Sequence, residues 1–190
     1  MKDRTITLPN LLTLLRILLI PFFLWSILQA NFLQSLLIFF IAGITDCLDG
    51  QLARRLNQHS ELGQRLDPIA DKLLLSSTYI VLTLPGYGYQ PVPLWLTIPM
   101  LVRDLAILIA AVVIERRTGF RDFKPSQPGK WHTTVLLITA LAFLATHSLG
   151  RYTEYLGVFY GLSLMMTVFS GLHYIYFINR ALAEYRGTTR

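Results

Sequence analysis

Asp46 and Asp49 lie three residues apart and Asp67 and Asp71 four apart. They belong to the strings Asp46-Cys47-Leu48-Asp49-Gly50-Gln51-Leu52-Ala53-Arg54 and, after eight residues, Gly63-Gln64-Arg65-Leu66-Asp67-Pro68-Ile69-Ala70-Asp71. Either spacing puts two carboxylates on one face of a helix. Each pair falls at the edge of an apolar run, where carboxylates are costly and tend to be functional. Four acids facing one another repel unless they are protonated or neutralised. Oxygen-only ligands select hard cations such as Mg²⁺ or Mn²⁺, so the chemistry expected here is metal-assisted. Arg54, Arg65 and Lys72 add neutralising charge nearby in sequence, without the shared geometry of an ion. Each element has a blander use: Asp67 before Pro68 suits an N-cap and first-turn proline, Gly50 and Gly63 suit helix ends or close packing, and Arg54 suits a solvated interfacial anchor. The joint spacing argues for a site.

The elements that position these acids are expected to be membrane helices. The chain is 53% hydrophobic and only 15% charged, against roughly 25% charged in an ordinary soluble domain, and its mean hydropathy is +0.49. A helix needs about 20 mostly apolar residues to cross a bilayer. Apolar runs and their breakers predict spans near Leu11–Leu28, Phe32–Leu52, Asp67–Leu84, Val92–Ile114, Trp131–His147 and Tyr155–Asn179. The expectation is an all-α integral membrane protein, a six-transmembrane-helix bundle forming one domain over residues 1–190. Antiparallel neighbours then bring the end of span two and the start of span three, with their acids, to the same depth. The single cysteine, Cys47, excludes an internal disulfide and suits a small packed residue.

Lysine and arginine positions set the orientation, because short cytoplasmic loops retain positive charge. Lys2 and Arg4 precede span one, and Arg54, Arg55 and Arg65 separate spans two and three. Arg116, Arg117, Arg121, Lys124 and Lys130 fill the connection from Glu115 to Lys130, Arg180, Arg186 and Arg190 form the tail, and the opposite side has only Arg151. Both termini are therefore expected in the cytoplasm, with the active site facing it. The +6 formal charge forms a collar near anionic headgroups, and no nucleic-acid partner is expected from cations spread along membrane edges. Trp25, Trp95 and Trp131 fall near span ends as interfacial anchors. With so few residues before span one, an organelle presequence is not expected and a prokaryotic plasma (inner) membrane is.

At every specified position the two acidic strings match D-x2-D-G-x2-A-R-x8-G-x3-D-x3-D, so the chain resembles the CDP-alcohol phosphatidyltransferase family. The opening Leu8-Pro9-Asn10-Leu11-Leu12-Thr13-Leu14-Leu15-Arg16 and the six-span layout are also similar. The resemblance implies transfer of a phosphatidyl group from CDP-diacylglycerol to an alcohol with release of CMP, two Mg²⁺ or Mn²⁺ ions, and a homodimer. It implies that Asp46, Asp49 and Asp67 are metal ligands and that Asp71 is both a ligand and the catalytic base. Gly50 and Ala53 would leave space for the cytidine nucleotide, Arg54 would bind its diphosphate, and Gly63 would permit close approach. A donor whose acyl chains stay in the bilayer suits acids at its edge.

Acceptor choice turns on Arg16, Arg103 and Asp104, the other charges within spans, and on the start of span five. Arg103 and Asp104 could neutralise each other or serve the acceptor; Lys130 and His132 open span five, where cations hold phosphate, although His132 also suits an interfacial polar residue. Family members that use glycerol 3-phosphate typically carry Arg-Glu in span four and Gly-Lys-x-Lys-Thr at span five. Arg103-Asp104, preceded by Pro91-Val92-Pro93-Leu94, and Gly129-Lys130-Trp131-His132-Thr133 depart from that pattern and favour phosphatidylglycerol over glycerol 3-phosphate. A cation transporter also puts carboxylates on facing helices, but near the midplane and often in paired repeats. Finally, Gly157-x3-Gly161 suits close helix approach, between copies or within one bundle.

Overall fold

A computed structural model describes the backbone of residues 8–56, 61–118 and 127–188, with side chains in 11–45, 69–113 and 127–177 and at Arg116. The described residues form α1 (Leu8–Leu28), α2 (Phe32–Leu56), α3 (Glu61–Thr83), α4 (Leu94–Thr118), α5 (Gln127–Leu149) and α6 (Leu156–Thr188), with a 3₁₀ turn at Thr153–Tyr155 and no strand. Among the described residues, four segments are long and apolar enough to cross a bilayer: Leu11–Leu28, Leu94–Val113, Gln127–Leu149 and Thr153–Phe177. In α2 the described apolar stretch is Phe32–Thr45. Exposed apolar side chains such as Leu18, Phe22, Leu94, Leu108 and Val158 are what helices facing lipid carry on their outer surface.

Several helices run past the predicted spans at one end. α2 runs on to Leu56, α4 to Thr118 and α6 to Thr188, while α3 begins at Glu61 and α5 at Gln127. Asp67 and Pro68 are thus inside α3 and not at its cap, and Gly50 is inside α2 and not at its end. Of the predicted loop from Glu115 to Lys130, residues 115–118 belong to α4 and residues 127–130 to α5; Arg121 and Lys124 lie outside the described residues.

The chain divides into two compact units, residues 1–92 with 140–153, and residues 93–139 with 154–190. In the first, α1 packs against both α2 and α3. Its buried face is Thr13, Arg16, Ile20, Phe23 and Ile27, alternately three and four residues apart, the repeat of a helix seam. Asn31 starts α2 by accepting a hydrogen bond from the Gln34 amide at 3.2 Å, an N-cap. The Ser26 and Ser35 hydroxyls then join the antiparallel helices at 2.6 Å, and Phe23 meets Phe39 at a centroid distance of 5.2 Å. Continued along the pair, this register brings residue 46 of α2 level with Arg16 of α1.

The far end of this unit is aromatic. Phe32 and Tyr89 meet edge to face at 5.4 Å, and the rings of Phe143 and His147 stack at 4.0 Å. Tyr89 donates its hydroxyl to the Val81 carbonyl at 2.8 Å, anchoring the α3–α4 connection. Burial, reinforced by the nearby Tyr87, pushes the Tyr89 phenol up to about 12, so it remains a donor throughout the physiological range.

In the second unit α4 packs against α6. The buried stripe of α6, Leu156, Tyr160, Ser163, Thr167 and Ser170, again alternates steps of four and three. Trp95 meets Tyr160 edge to face, and Arg103 hydrogen-bonds Ser170, so α4 and α6 run parallel. Toward α5 the stripe pairs Ser163 with Thr139 at 2.8 Å and Thr167 with His132 at 3.0 Å, an antiparallel register. Gly157 and Gly161 are exposed, and a Cβ added at either meets nothing within 4 Å. Among the described residues, packing does not use them.

Candidate active site

α2 carries Asp46, Asp49, Gly50, Ala53 and Arg54, and α3 carries Gly63, Asp67 and Asp71. Both helices share α1 as a neighbour. The side chains of all of these except Asp71 lie outside the described residues. What is placed is the backbone that bears them: two long helices, uninterrupted through both strings, each packed on the same third helix.

Asp71 is placed in full. Its side chain is 42% exposed, and its Oδ1 accepts a hydrogen bond from Arg16 Nη1 at 2.5 Å. Arg16 itself is wholly buried, at 0% exposure, one turn after the equally buried Thr13. A guanidinium in a helix seam must be neutralised, and a carboxylate is its natural partner. The result is a carboxylate reachable from one side and backed by a fixed cation on the other. Lys72, next in sequence, is exposed.

The donor set fits a hard divalent cation. Asp46, Asp49, Asp67 and Asp71 offer oxygen only, the ligand chemistry of Mg²⁺ and Mn²⁺, and the one described carboxylate is accessible and not sealed in the core. Sequence spacing identified these positions. It did not identify Arg16 as the partner of Asp71, although a lone arginine on the buried face of an otherwise uncharged helix was a visible signal.

The residues expected to serve the acceptor belong to the second unit. Arg103 donates to Asp104 Oδ1 at 2.7 Å and also to Ser170. The two charged side chains are 10% and 13% exposed; mutual neutralisation is real here. Lys130 is exposed on the first turn of α5. His132 is fully buried and hydrogen-bonded to Thr167. Thr167 and Ser170, which the sequence did not single out, complete a polar layer on α6.

The chain is similar to known proteins. The family model for CDP-alcohol phosphatidyltransferase matches residues 6–170. A protein named cardiolipin synthase (CMP-forming) from Streptomyces coelicolor is 40% identical over 164 residues, covering 83% of this chain and 74% of that one. One named CDP-diacylglycerol--glycerol-3-phosphate 3-phosphatidyltransferase from Blochmanniella floridana is 32% identical over 186 residues, 94% of either chain. Its namesake from Haemophilus influenzae is also 32% identical, over 88% of this chain and 90% of its own. Motif, helical scaffold and relatives agree: the chain belongs to the CDP-alcohol phosphatidyltransferase family and is an enzyme of phospholipid biosynthesis.

Proposed function

We propose that this enzyme transfers the phosphatidyl group of CDP-diacylglycerol to phosphatidylglycerol, forming cardiolipin and CMP at the cytoplasmic face of a prokaryotic plasma membrane. The observation that carries the reaction is the acidic motif borne by two helices that share α1, with Asp71 exposed and backed by Arg16. When bound to Asp46, Asp49, Asp67 and Asp71, Mg²⁺ or Mn²⁺ supplies charge neutralisation at the pyrophosphate. Arg54 offers a fork of donors to the same phosphates, and Gly50, Ala53 and Gly63 leave room for the nucleotide. Asp71 takes the proton of the acceptor hydroxyl. That oxygen bonds to the phosphatidyl phosphorus as the bond from phosphorus to the CMP oxygen breaks, and CMP leaves with the electron pair.

Acceptor choice rests on charge. Because Arg103 is offset by Asp104 at 2.7 Å and His132 is buried, Lys130 is the cation most open to an acceptor. One exposed lysine suits the single charge of a phosphodiester better than the nearly double charge of glycerol 3-phosphate. The second reading, glycerol 3-phosphate as acceptor, is favoured by the full-length similarity to enzymes named for it. Purified protein given CDP-diacylglycerol, Mg²⁺ or Mn²⁺, and either acceptor decides between them. Cardiolipin and CMP are expected from phosphatidylglycerol, and Lys130→Ala should raise the acceptor KM about tenfold with donor KM unchanged, the loss of one charge-assisted hydrogen bond. Phosphatidylglycerophosphate from glycerol 3-phosphate, with no cardiolipin, reverses the acceptor and leaves the donor chemistry standing.

A further inference from the structure

We propose that Arg16 is a positioning residue for Asp71, fixing the carboxylate in the orientation from which it takes the acceptor proton; this rests on the reading of Asp71 as the base. Arg16 is the sole charged residue of α1, it is 0% exposed, and its Nη1 holds Asp71 Oδ1 at 2.5 Å. The seam it occupies continues as Ile20, Phe23 and Ile27. An aliphatic side chain at position 16 would extend that seam without desolvating a charge, and buried ion pairs are often no more stabilising than apolar residues of similar size. Stability alone is therefore a weak reason for an arginine here. Intramembrane charges point to function by default.

A carboxylate turns about a broad terminal torsion. One oxygen held by a planar, rigidly forked donor takes away most of that freedom, which a compact ammonium on a flexible stem does less well. Orientation matters because misplacing a reacting group by about 1 Å costs on the order of 10²-fold in rate. The helix register adds a second coincidence: position 46, the first acid of the motif, is level with Arg16. α1 thus acts as the backing helix of the site, with its one cation at the depth where the acids begin.

The test is a double-mutant cycle on full-length protein in lipid nanodiscs, with Arg16→Gln and Arg16→Lys each made alone and combined with Asp71→Asn. CMP release from radiolabelled CDP-diacylglycerol gives kcat and KM, Mn²⁺ titration followed by electron paramagnetic resonance gives metal affinity, and thermal unfolding reports folding. Expected are a loss in kcat of about 10²-fold for Arg16→Gln, partial recovery in Arg16→Lys, donor KM and Mn²⁺ affinity close to the parent's, and no additional loss when Arg16→Gln is added to Asp71→Asn. Should Arg16→Gln not fold, Arg16→Lys carries the same cycle. Equal losses in both backgrounds overturn the positioning role. So does weakened Mn²⁺ binding with kcat unchanged, which would make Arg16 part of the metal site. Near-normal turnover of Asp71→Asn alone defeats the base reading itself, and is seen before Arg16 is altered.

Discussion

Arg16 reaches Asp71 from another helix, 55 positions away in sequence, whereas Arg103 reaches its immediate neighbour on α4, Asp104. The first pair joins a buried cation to a carboxylate that is 42% exposed; in the second both side chains are nearly buried, at 10% and 13%. A local pair stays neutral wherever its helix goes, and Arg103 also donates from Nη2 to Ser170 of α6. A remote pair exists only when α1 and α3 pack correctly. It leaves its acid partly exposed, as the proposed base requires, whereas the local pair provides neutrality and helix contact.

The largest effects should fall on the acids that accompany Asp71. Asp46→Asn or Asp67→Asn is expected to abolish metal-dependent CMP release while the protein still folds and extracts as the parent does, and to weaken Mn²⁺ binding. Near-normal turnover in either folded variant would sink the metal assignment and the contrast with it, since Asp71 would then be one more paired carboxylate.

The local pair should break differently. Asp104→Ala leaves Arg103 in the core with only Ser170 described as a partner, and removing one member of a buried pair costs about 3 kcal/mol or more. A lowered unfolding temperature in detergent is therefore the expected sign. Replacing both residues, Arg103→Met with Asp104→Leu, should restore most of that stability, because no charge is left stranded. If the single variant melts like the parent, the pair is better solvated than its 10% and 13% exposures indicate.

The two pairs also mark what the sequence made legible. That Asp46 and Asp49 share one helix, and Asp67 and Asp71 another, was readable because short spacings on one helix survive any packing. So was Arg103 beside Asp104. Arg16 with Asp71 was not, since helix partnership across 55 positions follows from how α1 nests against α3, which no local pattern encodes. Helix ends were misread for a related reason. Apolar runs report the lipid-facing part of a helix, and Gln51, Leu52, Ala53 and Arg54 are good helix formers that carry α2 to Leu56 beyond its apolar stretch. Likewise Arg180, Ala181, Leu182, Ala183 and Glu184 carry α6 onward.

Gly157 and Gly161 offer a smaller test, of whether this face of α6 meets a second copy in the homodimer that the family resemblance implies. Both are exposed with open space around them, and small residues let helices approach closely. Gly161→Leu should lower the dimer fraction in detergent several-fold without changing monomer unfolding. An unchanged dimer fraction would move the proposed dimer contact elsewhere.

The smallest effects should come from the hydroxyl pairs, which the two units hold in common: Ser26 with Ser35 in the first and Thr139 with Ser163 in the second. Hydrogen bonds between helices in a bilayer average about 0.6 kcal/mol, and here each surviving partner keeps a second acceptor. After Ser35→Ala, the Ser26 hydroxyl still donates to the Phe23 carbonyl at 2.8 Å. After Ser163→Ala, the Thr139 hydroxyl still donates to the Val135 carbonyl at 2.9 Å. Neither substitution strands a buried donor, so the desolvation penalty that makes Asp104→Ala costly is absent. Both should lower stability by about 0.6 kcal/mol and leave kcat as it was, measured side by side in the same detergent. A loss in kcat from Ser35→Ala, with stability nearly unchanged, would show that the α1–α2 seam transmits its geometry to the acids, and that Arg16 is not the only link between α1 and the chemistry.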